Sequence, residues 1–215
     1  MKDYKHRTII SHYEACLAQH GDTNLGVDWP NKEDAEKRYQ IMLEVAPENS
    51  QGLTLLDFGC GASHLYPYLQ HSRFAGLEYH GLDASPDFCA LSQSKYPENE
   101  YICIDVIDEP ERLGEFDYVI MNGVFTEKRE LTFEEMFEYF KQVMRVVFPK
   151  VRRGLAFNVM SKAVDWERDD LFHLPTDALI SFLVKELSRH FIIRNDYGLY
   201  EYTVYVYKEP SQCLR

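Results

Sequence analysis

The sequence predicts an α/β fold in which a mostly parallel, doubly wound sheet is closed by an antiparallel hairpin and preceded by a helical cap. Three observations predict it. Short apolar runs alternate with helical patterns from about residue 54 onward, the pattern of a parallel sheet covered on both faces. Near the C-terminus two runs, 191–194 and 200–207, alternate with period two around Asn195-Asp196-Tyr197-Gly198, which reads as a hairpin. The first 51 residues carry helical patterns and no strand. With 215 residues the chain is long enough for one domain with a sizeable core and short for two. It is read as a single unit: a cap or lid over 1–51 and a core over 52–215.

The elements follow in order. The cap breaks at 21–30, a stretch holding Gly21, Gly26 and Pro30, and Asn31 or Asp34 can cap the helix that runs to about Ala46. Ala35, Tyr39, Met42 and Leu43 share one face of that helix. Strands are expected at 54–58, 79–83, 101–105, 117–121 and 155–160. Between them lie helices at about 62–71 and from Pro86, which suits a first helical turn, to about Tyr96. Thr132 and Glu135 have the spacing of a capping box for a long helix ending near Pro149. A last helix opens at Pro175-Thr176 and ends near His190.

The first strand runs into Asp57-Phe58-Gly59-Cys60-Gly61-Ala62-Ser63. Glycines without a Cβ let the backbone turn sharply and approach a ligand closely. The helix behind them aims free N–H groups at that ligand. Asp83 ends the next strand, where an acid can accept hydrogen bonds from ribose hydroxyls. A dinucleotide fingerprint needs a third glycine, and His64 stands in that place. Asp57 suits a cationic ligand better than a pyrophosphate. A sulfonium cofactor with an amino-acid tail fits best.

These residues resemble the class I S-adenosylmethionine-dependent methyltransferases. Asp57-Phe58-Gly59-Cys60-Gly61 is similar to that family's first motif, and Gly81-Leu82-Asp83-Ala84-Ser85 to its second. Ile102-Cys103-Ile104-Asp105-Val106 is similar to the third, and Phe116 to Gly123 to the fourth strand. The likeness covers roughly residues 53–208. One departure is Ser63, where many members carry a further glycine. The resemblance implies a Rossmann-like seven-stranded sheet and S-adenosylmethionine as cofactor, with S-adenosylhomocysteine as product. It implies ribose contact at Asp83, adenine at Asp105 and the reactive methyl beyond the fourth strand.

The switch-point rule for open parallel sheets places the site outside the carboxyl ends of the strands. The expected cofactor-binding set is Asp57, Phe58, Gly59, Cys60, Gly61, Asp83, Ala84, Ser85, Asp105, Val106, Asn122 and Gly123. Asp105 can instead cap the next turn, and Asn122 can be an ordinary turn residue. From the cap, Trp29 can close over the cofactor and Arg38 can reach a carboxylate or phosphate. Positioning and exclusion of water do most of the work in an in-line methyl displacement. A hydroxyl acceptor also wants a base, for which His12, His20 and His64 are candidates.

Net charge is −12, which argues against general nucleic-acid binding. The run Lys141, Arg145, Lys150, Arg152, Arg153 reads as cations at a helix C-terminus. No secretory signal and no apolar run of membrane-span length is seen. Five cysteines without a CxxC pair point to reduced thiols, a cytoplasmic location and no metal site. The reading is methyl transfer to a hydroxyl or amine of a small metabolite, such as a sugar or a glycan or natural-product precursor. The alternatives are a nicotinamide-dependent oxidoreductase and a non-catalytic cofactor-binding subunit.

Overall fold

Strand order, more than any single element, positions the site. The computed structural model describes residues 5–29 and 31–210; Met1–Tyr4, Pro30 and Cys213 lie outside the described residues. Seven strands form one sheet in the order β3-β2-β1-β4-β5-β7-β6. They are β1 Thr54–Phe58, β2 Glu78–Asp83, β3 Glu100–Cys103, β4 Phe116–Phe125, β5 Val151–Met160, β6 His190–Arg194 and β7 Glu201–Tyr207. β1 to β5 pair in parallel, and β7 runs antiparallel between β5 and β6. The order reverses between β1 and β4, so their carboxyl ends diverge and leave a crevice.

Successive residues of the central strands enter opposite cores, because side chains alternate across a sheet. Leu56, Val119, Met121, Leu155 and Phe157 join one apolar cluster, together with Phe140 and Met144. Leu55, Ile120 and Ala156 join the other, with Tyr39, Met42 and Leu43. This explains the unbroken apolar runs in the sequence: both faces are buried.

The helices are α1 Arg7–His20, α2 Lys32–Leu43, α3 Leu65–Gln70, α4 Pro86–Lys95, α5 Phe133–Val147 and α6 Thr176–Phe182. Asn31 caps α2 by accepting from the Glu33 and Asp34 N–H groups. Ser85 caps α4, with Pro86 in its first turn. The Thr132–Glu135 capping box is present on α5.

The structure corrects five expected boundaries. β5 starts at Val151, four residues before the expected Leu155, because Val151 pairs with Phe116 at the start of β4. α3 starts at Leu65, three residues late, because the preceding turn has three left-handed residues: Gly59, Gly61 and Ser63 at φ 72°, 52° and 55°. Ser63 thus adopts the backbone that a glycine would take more cheaply. Its hydroxyl donates to Ser92 Oγ at 2.8 Å, and Ser92 donates to the Gly61 carbonyl at 2.8 Å. β3 ends at Cys103, not Asp105. β4 continues past Met121 through an irregularity at Gly123 (φ 80°), and pairing resumes at Phe125 opposite Val159. The last helix gives way to a π-helical turn, Leu183–Leu187, before β6.

The cationic run is neutralised locally. Lys141 and Arg145 pair with Glu138, Arg145 also with Glu186, Arg152 with Glu115, and Arg153 with Asp117.

Thr132→Ala is expected to destabilise the protein by about 1 kcal/mol, the usual cost of losing an N-cap side chain. Thr132→Ser should be close to neutral. Urea denaturation of the two variants checks this.

Candidate active site

The crevice above β1 and β4 deepens into a cavity of about 1140 Å³, counting its open mouth. That is ample for a small organic cofactor with room beside it. Its floor is the turn after β1. The Gly59 and Cys60 N–H groups both donate to the Leu82 carbonyl, at 2.7 and 2.9 Å, so the turn folds over the end of β2. A Cβ on Gly59 would sit 2.7 Å from a methyl of Val124, and its φ is left-handed, so glycine is required there on both counts.

Asp83 stands at the centre. One carboxylate oxygen accepts the Gly61 N–H at 2.9 Å and the other accepts the Ser85 N–H at 2.9 Å. A carboxylate has about four lone-pair sites, so two directions remain after these bonds. Burial raises the Asp83 pKa, while the Ser85 and Gly61 N–H bonds oppose the rise.

Asp57 lies deeper, buried, and accepts from the Tyr79 hydroxyl at 2.9 Å. Desolvation pushes its carboxyl up to about 7, against the Tyr79 hydrogen bond and with a further push from Asp83. Cys60 is buried beside both acids, and burial holds its thiol far above its ordinary pKa. It is a neutral lining group and no nucleophile.

Asp105 lines the cavity and is held on both oxygens. One accepts the Ile107 N–H at 3.0 Å, which caps the turn after β3; the other meets His6 Nε2 at 2.8 Å. Desolvation would raise its pKa, but the His6 and Ile107 contacts outweigh it and the net shift is downward. The sequence reading missed His6. It is buried, lines the cavity and stacks on Tyr139 with centroids 4.8 Å apart. Ile9, Tyr13 and Phe88 also line the cavity without having been expected. Ile9 and Tyr13 come from α1, which only the tertiary docking of the cap brings to the strand ends, and Phe88 comes from α4 behind β2.

Asn122 and Gly123 border the cavity where β4 turns. Asn122 Oδ1 is buried with no hydrogen-bond partner. Gly123 donates its N–H to Asn158 Oδ1 at 2.8 Å, and Asn158 Nδ2 donates to Glu201 at 3.0 Å. Trp29 packs so closely on Gly123 that a Cβ there would lie 2.6 Å from the indole. Phe58, Ala84, Ser85 and Val106 complete the expected lining.

Three expected contributors, Arg38, His20 and His12, lie outside the cavity lining. Arg38 does not line the cavity; its guanidinium grips the fully buried Glu201 at 2.9–3.0 Å and lies over the Trp29 ring. It does reach a carboxylate, but one of the chain's own. His20 is exposed at the end of α1, away from the cavity. Of the other histidines, His64 lines the cavity with its Nε2 2.7 Å from Asp22. His12 sits outside the lining, 2.8 Å from Asp28.

A family model described as a methyltransferase domain matches residues 56–150. The candidate methyltransferase Rv1506c of Mycobacterium tuberculosis (strain H37Rv) is 29% identical over 157 residues, covering 71% of this chain and 91% of that protein. Magnesium protoporphyrin IX methyltransferase from Synechocystis PCC 6803, solved with bound S-adenosylhomocysteine, superposes with a TM-score of 0.64 at 16% identity. The match covers 97% of this chain and 98% of that one. The CurJ carbon methyltransferase superposes with a TM-score of 0.57 at 15% identity, over 95% of this chain and 70% of that one. At such identities the structures speak for the fold alone. Motif order, strand order and the methyltransferase-domain match over residues 56–150 make the chain similar to the class I S-adenosylmethionine-dependent methyltransferases.

Proposed function

We propose that the cavity binds S-adenosylmethionine through the turn after β1 and Asp83, and that the methyl group goes to a hydroxyl or amine of a small metabolite. The observation that carries the cofactor reading is Asp83. It is fixed by two backbone N–H groups, faces the cavity, and keeps lone pairs for a ribose diol. The remaining lining fits the same ligand. Asn122 Oδ1 is a buried acceptor without a partner, suited to an ammonium group, and Asp57 offers a negative charge beside it. Asp105 and His6 bound the adenine end, with Ile104, Val106 and Phe88 as apolar walls. No third glycine is present for a pyrophosphate, which speaks against the nicotinamide reading. Detection of methyl transfer separates an enzyme from a non-catalytic binder.

When bound, the cofactor supplies an electrophilic methyl on sulfur. The chain's own contribution is placement and exclusion of water. Trp29 and Tyr39 wall the cavity beside Gly123, and the Glu201–Asn158–Gly123 hydrogen bonds fix the β4 turn in place. An amine acceptor needs no base held by the protein. For a hydroxyl acceptor His64, oriented by Asp22, is the histidine of the three that borders the cavity.

One feature favours a small acceptor: the surface is acidic overall, which disfavours nucleic acid. The fold itself does not choose the acceptor. No helix among the described residues is long and apolar enough to cross a membrane. Free Cys16, Cys60, Cys89 and Cys103 accord with a reducing, cytoplasmic setting.

Calorimetric titration with S-adenosylmethionine, S-adenosylhomocysteine and NADH tests the cofactor; binding of NADH alone would overturn the reading. Asp83→Ala should weaken S-adenosylmethionine binding by roughly 100-fold, the scale of two charge-assisted hydrogen bonds. An unchanged Kd in a folded variant would remove the ribose assignment.

The Asp57 carboxyl predicts a pH dependence. Its folded pKa lies above its unfolded one, so stability of the ligand-free protein should fall as pH rises from about 4 to about 7 and level off above. Ionised Asp57 attracts a cation, so sulfonium affinity should rise over the same passage, by up to about tenfold between pH 6 and 8. Asp57→Asn should flatten both profiles relative to wild type. Thermal melts and titrations at matched pH measure this, and parallel profiles would refute it.

A further inference from the structure

Beside the cofactor cavity, three segments converge on a group of ligand-type side chains. His12 and Cys16 lie one turn apart on α1, on the same helical face. Asp28 comes from the segment before α2, and Glu127 from just beyond β4. One ligand atom from each of His12, Cys16 and Asp28 lies within 4.8 Å of the other two. Cys16 Sγ is 3.6 Å from His12 Nε2, and Glu127 Oε2 is 3.9 Å from the same nitrogen. Bond lengths of 2.0–2.3 Å put the ligands of a tetrahedral zinc ion about 3.3–3.8 Å apart. Two of these separations already fall at or near that range. The third, His12 Nε2 to Asp28 Oδ2 at 2.8 Å, needs to open by well under 1 Å.

The surroundings point the same way. Asp28 ends the 3-10 turn Leu25–Val27 in a left-handed backbone at φ 54°. Asp28 and Glu127 bring two carboxylates to one imidazole. Arg129, 3.3 Å from Glu127, is a cation beside them and compensates one charge. A half-buried pair of carboxylates, a histidine and a thiol together offer nitrogen, sulfur and oxygen donors at one place.

We propose that His12, Cys16 and Asp28, with Glu127 beside His12, form a binding site for a divalent cation of the zinc class. Binding replaces the His12–Asp28 hydrogen bond with two metal bonds and releases the Cys16 thiol proton to solvent. No electron transfer is involved. Nitrogen, sulfur and carboxylate donors together select zinc or cobalt over magnesium or calcium, which prefer oxygen alone. The ion would tie α1, the segment before Trp29 and the chain beyond β4 to one another, and so fasten the cap at the acceptor side of the cavity.

The full-length protein, stripped with chelator and dialysed, is titrated with Co²⁺ alone and followed by absorption. The expected result is one equivalent of cobalt, tetrahedral d–d bands and a sulfur-to-cobalt charge-transfer band, all displaced by Zn²⁺. Cys16→Ser should abolish the charge-transfer band, and His12→Ala should weaken cobalt binding by at least 100-fold. Cys103→Ser, in β3, should change neither. Circular dichroism establishes that each variant is folded. Absence of stoichiometric cobalt in the folded wild-type protein overturns the proposal, as does a charge-transfer band that survives Cys16→Ser.

Discussion

The site depends on one constraint: the backbone after β1 must double back over the end of β2. Three consecutive requirements produce it. Gly59 takes a left-handed φ with no room for a Cβ against Val124. The Gly59 and Cys60 N–H groups share one acceptor, the Leu82 carbonyl. The Gly61 N–H is then handed to the Asp83 carboxylate. Buried backbone donors must find partners, and here Asp83 is the partner that also faces the cavity. The residue that would meet the ligand is therefore also the residue that holds the turn in shape. Gly81, beneath them, meets the same demand from below: a Cβ there would fall 2.5 Å from the Tyr101 ring and 3.0 Å from the Cys60 sulfur.

Most of this architecture was legible because it follows from local chemistry. β1 spans the residues its apolar run predicted, Asn31 and the Thr132–Glu135 pair cap the helices that follow them, and Pro86 opens α4. Such signals need only neighbours in sequence. The turn proved longer than expected because Ser63, which reads as a helix residue, goes left-handed. Ser92, twenty-nine residues away, and Tyr79 surround its hydroxyl. β4 looked finished at Met121 because its continuation depends on Asn158, which takes the Gly123 N–H from the neighbouring strand. Neither partner is visible in a local window.

The same reasoning explains the mixed record on individual residues. Residues in the motif turns line the cavity because the motif and the cavity are one backbone feature. Cap residues gave no such signal. Trp29 reaches the cavity, yet Arg38, one helical face away, is claimed by Glu201, whose burial between β5 and the cap demands a cation. His6 was passed over because nothing near it in sequence hints at Asp105, ninety-nine residues on. A CxxC pair is visible in a local window, whereas His12 and Cys16 are one helical turn apart and meet their carboxylates only through the tertiary fold.

Within the cap, α2 is buried in the second apolar cluster, whereas α1 and the turn behind it meet the core largely through polar groups at the strand ends. His6 meets Asp105, Arg7 meets Asp108, Glu14 accepts from Ser85 Oγ, and Asp22 bridges His64 and Lys95. The exposed pairs among these contribute about 0–1 kcal/mol each, so α1 is held by several weak ties, the buried His6–Asp105 contact and apolar contacts such as Ile9. Three of the ties end on groups that also line the cavity, Ser85, Asp105 and His64. A ligand that forms hydrogen bonds with any of them competes with, or reorients, its partner in the cap. Ligand occupancy and the position of α1 are then linked, and linkage is reciprocal: whatever strengthens the hold of Glu14 on Ser85 or of His6 on Asp105 changes ligand affinity by the same factor. The chain has built its cover from the same atoms that form the rim of its cavity.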